Sequence, residues 1–476
     1  MEYGFLSLVP PLVTIALAMW TRQVALSLFA GMFLGFMVIT GGNIFGSLNG
    51  SFDTVFSVFA SSDNIKVFIF NMLMGAFIVL IQASGGVEGF IEYLTIKTEK
   101  IKNRKAAAFL AYIIGIIIFV DGYLSIILSG IVVRPLADRF KVSREMLAYI
   151  CDSTSAPINA LIPLNSWGAM FMGLIGAQIT AGVINGNPMT LLIQSLPFQF
   201  YSIMSVLFVA YFITTGKHWG PMKKAEERVI KTGQLLREDA HPVVSKDTSD
   251  TPIKEGLSPD KWNFVFPFSI LLGTIAIGLY VTGEGNLIKG DGTTAIFWGI
   301  LLSLTLSAVF FKVKKVMTVN EYLDYVFKGI GGIMPLVILL VFSFAIGKVV
   351  KELGAGQYLA SLVEGKVSGG FGPAIIFIMG AIMAFSTGTS WGTFAMMMPI
   401  AVPMAVAMDA SIVVSIGAVI SGGIFGDHCS PLSDTTILAS MAASADPYDH
   451  IKTQLPYAIQ SAAVAIVLYI IAGFIL

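Results

Sequence analysis

Long apolar runs follow one another along almost the whole chain, and this pattern is what most constrains the fold. Of the 476 residues, 55% are hydrophobic and only 12% are charged, whereas soluble domains carry about 25% charged residues. A helix needs about 20 apolar residues to cross the hydrocarbon core of a bilayer. The candidates for simple spans are Leu6–Trp20, Val24–Thr40, Val67–Ile81, Leu191–Phe212, Phe264–Val281, Thr294–Phe311, Ile330–Val349 and Ala458–Leu476. The sequence therefore predicts an all-α polytopic membrane protein.

The charged residues are concentrated in one segment near the middle of the chain. The 29 basic and 29 acidic residues balance to zero net charge, and 17 of them lie from Lys217 to Lys261. Zero net charge argues against a nucleic-acid-binding protein. The sequence contains no GxxxxGK[ST] run, so an ATP-driven pump is not supported. Residues 214–261 are predicted to form a cytoplasmic linker, partly helical and partly flexible, rather than a catalytic domain.

Basic residues in the short loops predict the orientation, because cytoplasmic loops are enriched in Lys and Arg. Loops such as Gly41–Ser62 carry almost none and are expected outside. The basic loops Lys97–Lys105 and Arg139–Arg144 flank an apolar segment, which must then enter and leave on the cytoplasmic side. Residues 106–137 are therefore predicted to form a re-entrant hairpin. Residues 146–175 follow as a crossing helix with a broken middle.

The second half is predicted to repeat this order from the opposite side of the membrane. It has a hairpin at about 371–404 and a broken helix at about 412–443. Residues 1–213 and 262–476 each contain five predicted crossings and one re-entrant hairpin. Five is odd, so the two halves have opposite orientations and both termini lie outside. Inverted repeats with broken helices are typical of secondary transporters.

Polar residues cluster where the apolar segments break. Irregular backbone at membrane depth must face protein or a water-filled cavity, and hydroxyl, carboxylate and carbonyl oxygens are the ligands that hard cations prefer. The predicted ion- or substrate-binding residues of the first half are Asp121, Asp152, Ser153, Thr154, Asn159 and Asn165. Those of the second half are Thr387, Thr389, Ser390, Asp427, His428, Ser430, Ser433, Asp434 and Thr435.

Each of these residues also has a structural interpretation. Asp152 could cap the half-helix that follows it, and the Ser and Thr hydroxyls could satisfy the backbone at a break. His428 could titrate near neutral pH or be a hydrogen-bonded structural residue. A charge at membrane depth costs roughly 2.5–3.5 kcal/mol or more, so the acids favour function over packing.

Three segments resemble a known family. The run from Gly426 to Thr436, GDHCSPLSDTT, is similar to the signature of the NhaC family of sodium/proton antiporters. The segments Gly388–Thr393 and Asp152–Pro157 resemble the other polar segments of that family. The resemblance implies a scaffold domain, a transport domain that moves as an elevator, and a homodimer. Members of the family are also linked to organic acids or amino acids, so the substrate does not follow from the resemblance.

The leading hypothesis is an inner-membrane Na⁺/H⁺ antiporter without a covalent cofactor, in which Asp152, Asp427 and Asp434 bind Na⁺ or H⁺ near the midplane. The alternative is Na⁺-coupled symport or exchange of a small organic solute, such as an amino acid or a carboxylate, against Trp391 and Tyr123. Neither broken segment contains Lys or Arg, which favours a cationic or ammonium-bearing substrate over a multiply charged anion. Inverted hairpins with acids at the midplane argue against a channel or a receptor.

Overall fold

The computed structural model describes residues 3–21, 23–96, 101–119, 122–242, 252–287, 290–354, 358, 368–431 and 433–476. Regular structure in these residues is helical. The first half contains α1 (Val9–Thr21), α2 (Val24–Ile39), α3 (Ile44–Val58), α4 (Ser62–Ala83), α5 (Gly86–Ile96), α6 (Arg104–Ile117), α7 (Gly122–Arg139), α8 (Arg144–Ser153), α9 (Ala156–Leu161), α10 (Ser166–Thr180), α11 (Pro188–Ser195) and α12 (Phe200–Thr215). Short 3₁₀ helices span Gly4–Leu8, Leu196–Phe198 and Gly369–Phe371.

The linker and the second half contain the remaining helices. These are α13 (Gly220–Thr232), α14 (Trp262–Thr282), α15 (Gly292–Val313), α16 (Val319–Glu352), α17 (Gly372–Thr387), α18 (Ser390–Ala407), α19 (Ile412–Cys429), α20 (Asp434–Ala443) and α21 (Pro447–Ile475). Among the described residues, eight helices are long and apolar enough to cross a membrane, or nine when the bent pair formed by α8–α9 and α10 counts as one span. The prediction of an all-α polytopic membrane protein is confirmed.

The predicted span Leu191–Phe212 is interrupted in the structure. Helix α11 ends at Ser195, a 3₁₀ turn follows, and α12 begins at Phe200. Pro197 lies in that turn, and a proline has no N–H to continue the hydrogen-bond ladder of a helix. The predicted span was based on the length of the apolar run and did not take Pro197 into account.

The loop expected at Gly41–Ser62 contains a helix, α3, so that expectation is wrong. Asn43 caps the helix by accepting a hydrogen bond from the Gly46 N–H at 3.0 Å. Phe45 and Phe56 are mostly exposed in the folded chain. The low content of basic residues was used to predict the side of the membrane and says nothing about helix content, and apolar side chains on a capped helix can lie against lipid.

The last helix begins well before the predicted start at Ala458. Asp446 caps α21 by accepting hydrogen bonds from the N–H groups of Tyr448 and Asp449 at 2.8 and 3.4 Å. Pro447 occupies the first helical position, where its missing N–H has no cost. The polar residues of α21 that precede Ala458 were therefore left out of the predicted transport path.

The charged linker is partly helical, because α13 lies within it, while the stretch 243–251 lies outside the described residues. Arg228 of α13 binds Glu145 at the start of α8, with 2.8 Å between nitrogen and oxygen. Arg237 lies 3.3 Å from Asp449 in the first turn of α21. The linker therefore contacts the N-terminal ends of α8 and α21, two helices that have buried polar residues further along their length.

The order of elements after the first spans is the same in both halves. The hairpin α6–α7 precedes the broken helix α8–α10, and the hairpin α17–α18 precedes the broken helix α19–α20. Helix α17 packs on α19, and α7 packs on α20. With the 3₁₀ helix before α17, the first leg of the second hairpin is Gly369–Thr387 with 19 residues and the second is Ser390–Ala407 with 18, and each could cross a membrane by length and composition. The re-entrant path of the hairpins and the inversion of the halves stay predictions.

Helices α4 and α16 pack against each other through two glycines. A Cβ atom added to Gly75 would lie 2.5 Å from the carbonyl oxygen of Gly329, and one added to Gly329 would lie 2.3 Å from the carbonyl oxygen of Gly75. Small residues allow membrane helices to approach this closely. The pair forms a wall against which the polar segments of the chain lie.

We expect Gly329→Ala to destabilise the protein by about 1–3 kcal/mol, because the new methyl group meets backbone that cannot move aside cheaply. Gly331→Ala is the matched control, since nothing lies within 4 Å of its added Cβ atom on the same helix. Thermal unfolding of the detergent-solubilised variants measures the difference. Equal melting temperatures for the two variants would contradict the close approach of α4 and α16.

Candidate functional site

The first broken helix bends by 46° between α8–α9 and α10. Pro163 lies in the gap before α10 and cannot donate a backbone hydrogen bond. Side chains at the preceding break satisfy main-chain carbonyl groups instead. Thr154 Oγ1 donates to the Ile150 carbonyl at 2.7 Å, and Ser155 Oγ donates to the Gly122 carbonyl of the first hairpin at 2.6 Å. The break is therefore bonded to the start of α7, the second helix of that hairpin.

Asn165 closes the second gap of the same broken helix. Its side-chain oxygen accepts hydrogen bonds from the N–H groups of Trp167 and Gly168 at 2.9 and 3.0 Å, which caps α10. Its amide nitrogen donates to the carbonyls of Phe119 and Asn159 at 2.8 and 3.0 Å. Asn165 and Asn159 are fully buried, and their bonds favour a structural role for both residues.

The break in the second half uses the same chemistry. Ser430 Oγ donates to the Phe385 carbonyl of α17 at 2.7 Å. Ser433 caps α20 by accepting a hydrogen bond from the Thr436 N–H at 3.4 Å, and its hydroxyl lies 2.9 Å from that of Thr435. The second broken helix is thus tied to the second hairpin, as the first is tied to the first.

The second hairpin reverses at a glycine. Helix α17 ends at Thr387, whose hydroxyl donates to the Met383 carbonyl at 2.9 Å. Gly388 has a φ of +68°, a left-handed conformation that glycine adopts without strain. Thr389 then caps α18 by accepting a hydrogen bond from the Gly392 N–H at 3.4 Å. This tight turn places the first residues of α18 beside the two broken helices.

The ends of these elements surround one cavity of about 320 Å³. Both hairpins and both broken helices contribute to its lining, and so do α4 and α16. The lining residues are Asn71, Met74, Ile78, Gly122, Tyr123, Ser155, Ala156, Ser166, Trp167, Gly332, Ile333, Thr389, Ser390, Trp391, Asp427 and Thr435. Four of the predicted site residues therefore border the same space: Thr389, Ser390, Asp427 and Thr435.

A second polar cluster surrounds Asp152 and does not border the cavity. The Asp152 carboxylate accepts hydrogen bonds from Gln454 at 2.8 Å and from Thr436 at 3.3 Å. The Nε2 atoms of His428 and His450 lie 3.6 and 3.4 Å from the same oxygen. All of these side chains are buried. The cluster joins α8, α19, α20 and α21 at one carboxylate.

Both ring nitrogens of His428 have close polar neighbours. Nδ1 lies 2.6 Å from the Tyr201 hydroxyl, and Nε2 lies 3.1 Å from Ser153 Oγ. The His428 carbonyl accepts a hydrogen bond from Gln454 at 2.6 Å. His428 is thus held by three elements, and Ser153 contacts it rather than the cavity.

The predicted cation ligands therefore separate into two places. Asp427 lines the cavity, while Asp152 lies in the cluster with the histidines. Asp434 begins α20, but its side chain lies outside what the structure describes, as does the whole of Asp121. Among the described residues, no three His, Cys, Asp or Glu side chains are placed to share a metal ion.

Sequence reasoning missed several residues of the two sites. His450 and Gln454 lie one turn apart on α21, and this polar spacing was a usable signal that the late start of the predicted span hid. Asn71 was also missed, although an amide in the middle of the predicted span Val67–Ile81 is unusual. Tyr201 had no signal, because a tyrosine in an apolar helix fits packing equally well.

Helices long enough to span a membrane, broken helices and a cavity at the breaks define the class of secondary transporters. The chain belongs to the Na⁺/H⁺ antiporter family, whose family model matches residues 161–474. The predicted membership among sodium/proton antiporters is confirmed. The protein is therefore a secondary transporter and a multi-pass membrane protein.

Individual relatives extend this result. An uncharacterized protein of Haemophilus influenzae is 34% identical over 98% of this chain and 91% of its own length. An uncharacterized Na⁺/H⁺ antiporter of the same organism is 45% identical, but over 18% of this chain and 19% of that protein. The crystal structure of the YdaH transporter of Alcanivorax borkumensis covers 96% of this chain and 98% of that one, with a TM-score of 0.58 and 14% identity. This last likeness shows the fold alone.

We expect Gln454→Leu to destabilise the protein by about 1–3 kcal/mol, because it removes the buried amide that donates to both the Asp152 carboxylate and the His428 carbonyl. Gln460→Leu is the matched control on the same helix, since the buried Oε1 atom of Gln460 has no hydrogen-bond partner among the described residues. Thermal unfolding in detergent reports both effects. A loss of stability in the control as large as in Gln454→Leu would contradict the special role of the cluster.

Proposed function

We propose that the protein exchanges Na⁺ for H⁺ across the membrane and that Asp427 binds either cation. The observation that carries this proposal is the position of Asp427, which is 2% exposed and borders the cavity where both hairpins and both broken helices end. None of the described lining residues is Lys or Arg. A carboxylate that holds Na⁺ cannot hold H⁺ at the same time, so competition for Asp427 would couple the two fluxes.

Other residues of the proposal have separate roles. Ser390 and Thr435 line the same cavity as Asp427, and their hydroxyls would supply further oxygen ligands for Na⁺. Asp434 and Asp121 are retained as candidate ligands on the sequence evidence. We assign Asp152 a positioning role, because its hydrogen bonds hold the broken helices together. The exchange needs no covalent cofactor.

The cavity also suggests how access could alternate. Helices α4 and α16 line part of the cavity, and the hairpins and broken helices line the rest. We propose that the second group moves as an elevator-type transport domain against a scaffold that includes α4 and α16. The hydrogen bonds between each break and its hairpin support this division, because they would keep the moving group together.

The proposed orientation places the linker 214–261 in the cytoplasm of the cell and both termini outside the inner membrane. The basic loops support it under the positive-inside rule. We further propose a homodimer. The apolar side chains that α14 and α15 leave exposed, such as Ile277, Tyr280, Trp298 and Val309, offer a surface for lipid and for a second copy of the chain.

We expect Asp427→Asn to abolish Na⁺-evoked proton movement, because the amide can neither bind a proton at neutral pH nor neutralise Na⁺. The measurement uses proteoliposomes that contain a pH-sensitive dye and receive a pulse of Na⁺. The matched control is Asp409→Asn, which changes an exposed acid at the end of α18 and should leave the signal unchanged. Full exchange in Asp427→Asn would sink the assignment.

A further inference from the structure

The residue that follows Asp427 in the chain is held from several sides. Asp427 and His428 lie in the last turn of α19, which ends at Cys429. The last carbonyl groups of a helix have no partner within the helix, and helix ends fray. Here Gln454 donates to the His428 carbonyl at 2.6 Å, and the Ser430 N–H donates to the Asp427 carbonyl at 2.9 Å. The main chain at Asp427 and His428 is therefore fixed.

The side chain of His428 is held at both ring nitrogens. Nε2 lies 3.1 Å from Ser153 Oγ and 3.6 Å from the Asp152 carboxylate. An ionised carboxylate can only accept hydrogen bonds, so its proximity favours a proton on Nε2. In a neutral imidazole Nδ1 is then an acceptor, and the Tyr201 hydroxyl, 2.6 Å away, donates to it. Tyr201 and Ser153 together set the orientation of the ring.

Tyr201 makes two separable contacts with α19. It belongs to α12 and is fully buried. Its ring packs against that of Phe425, with centroids 5.1 Å apart, while its hydroxyl contacts His428. Phe425 lies about one turn before His428 on the same helix. A phenylalanine at position 201 would keep the packing of the ring and lose the hydrogen bond at the helix end.

Asp427 and His428 are neighbours in the chain but have different surroundings. Asp427 borders the cavity, whereas His428 belongs to the buried cluster around Asp152. A group that binds an ion must be held within about 0.5 Å of its productive position. Hydrogen bonds that orient the ligands of a metal ion therefore change its affinity when they are removed. His428 is the point at which the cluster can fix the carboxylate at the cavity.

We infer that Tyr201 is a positioning residue for cation binding. Its hydroxyl holds the His428 ring, and the end of α19 held in this way keeps the Asp427 carboxylate in place at the cavity. The inference rests on the proposed function, because it takes Asp427 as the residue that binds Na⁺. It adds α12 to the elements that determine the affinity, although no described residue of α12 lines the cavity.

The test replaces Tyr201 in the full-length protein. Na⁺ affinity is measured in detergent from the rise in melting temperature with NaCl, with choline chloride keeping the ionic strength constant. We expect Tyr201→Phe to weaken Na⁺ binding about three- to tenfold, as the loss of one buried hydrogen bond would. In proteoliposomes the KM for Na⁺ should rise by a similar factor, with kcat within about twofold of its original value. A merely structural role would lower the melting temperature and leave the Na⁺ affinity unchanged.

Tyr469→Phe is the matched control. Tyr469 is also fully buried, and its hydroxyl donates to the carbonyls of Phe198 and Gly417 at 2.8 and 3.0 Å. Gly417 lies on α19, so both variants remove a buried hydroxyl that contacts the same helix. Tyr469→Phe should lower the melting temperature without changing the Na⁺ affinity. An equal loss of Na⁺ affinity in the two variants would overturn the role of Tyr201.

A second variant covers the case in which Tyr201→Phe does not fold. Ser153→Ala removes the contact at the other ring nitrogen of His428 and should weaken Na⁺ binding in the same way. Unchanged Na⁺ affinity in Ser153→Ala would then overturn the inference.

Failure of this inference can be told from failure of the proposed function. Na⁺-evoked proton movement in the unchanged protein, together with the same Na⁺ affinity in Tyr201→Phe, would leave Na⁺/H⁺ exchange standing and remove the role of Tyr201. Na⁺ binding that Tyr201→Phe weakens, together with no Na⁺-evoked proton movement, would support the role of Tyr201 and remove Na⁺/H⁺ exchange. No Na⁺ binding by the unchanged protein would remove both.

Discussion

The site depends on one constraint, which is that backbone groups cannot remain unpaired inside a membrane. Each helix break exposes carbonyl and N–H groups that lipid cannot satisfy. Asn165 accepts from N–H groups at the first break and Ser433 does so at the second. Ser155 and Ser430 donate from the breaks to carbonyl groups of the hairpins. Because Ser155, Asn165 and Ser430 bond to the main chain of a hairpin, closing the breaks also joins each broken helix to its hairpin. The polar residues of the breaks build the site before they bind anything.

The same logic explains why the acids separate. One oxygen of Asp152 accepts hydrogen bonds from Thr436 and Gln454 and lies near the Nε2 atoms of His428 and His450, so this carboxylate fixes the arrangement of three neighbouring helices. Asp427 faces the cavity and has aromatic and hydroxyl neighbours there. An acid that is already engaged on several sides stabilises a fold, whereas an acid that borders an open space can exchange its partner. The fold thus divides the two tasks between Asp152 and Asp427.

The sequence allowed the polytopic class and the positions of both breaks to be predicted, because apolar length and clusters of breakers are local properties. It could not show that Asp152 and Asp427 lie in different surroundings, since that depends on which helices pack beside them. His450 reaches Asp152 only because α21 begins at Pro447. Asn71 becomes meaningful only once α4 is known to face the hairpin ends. Residues that act across helices were the ones that local patterns missed.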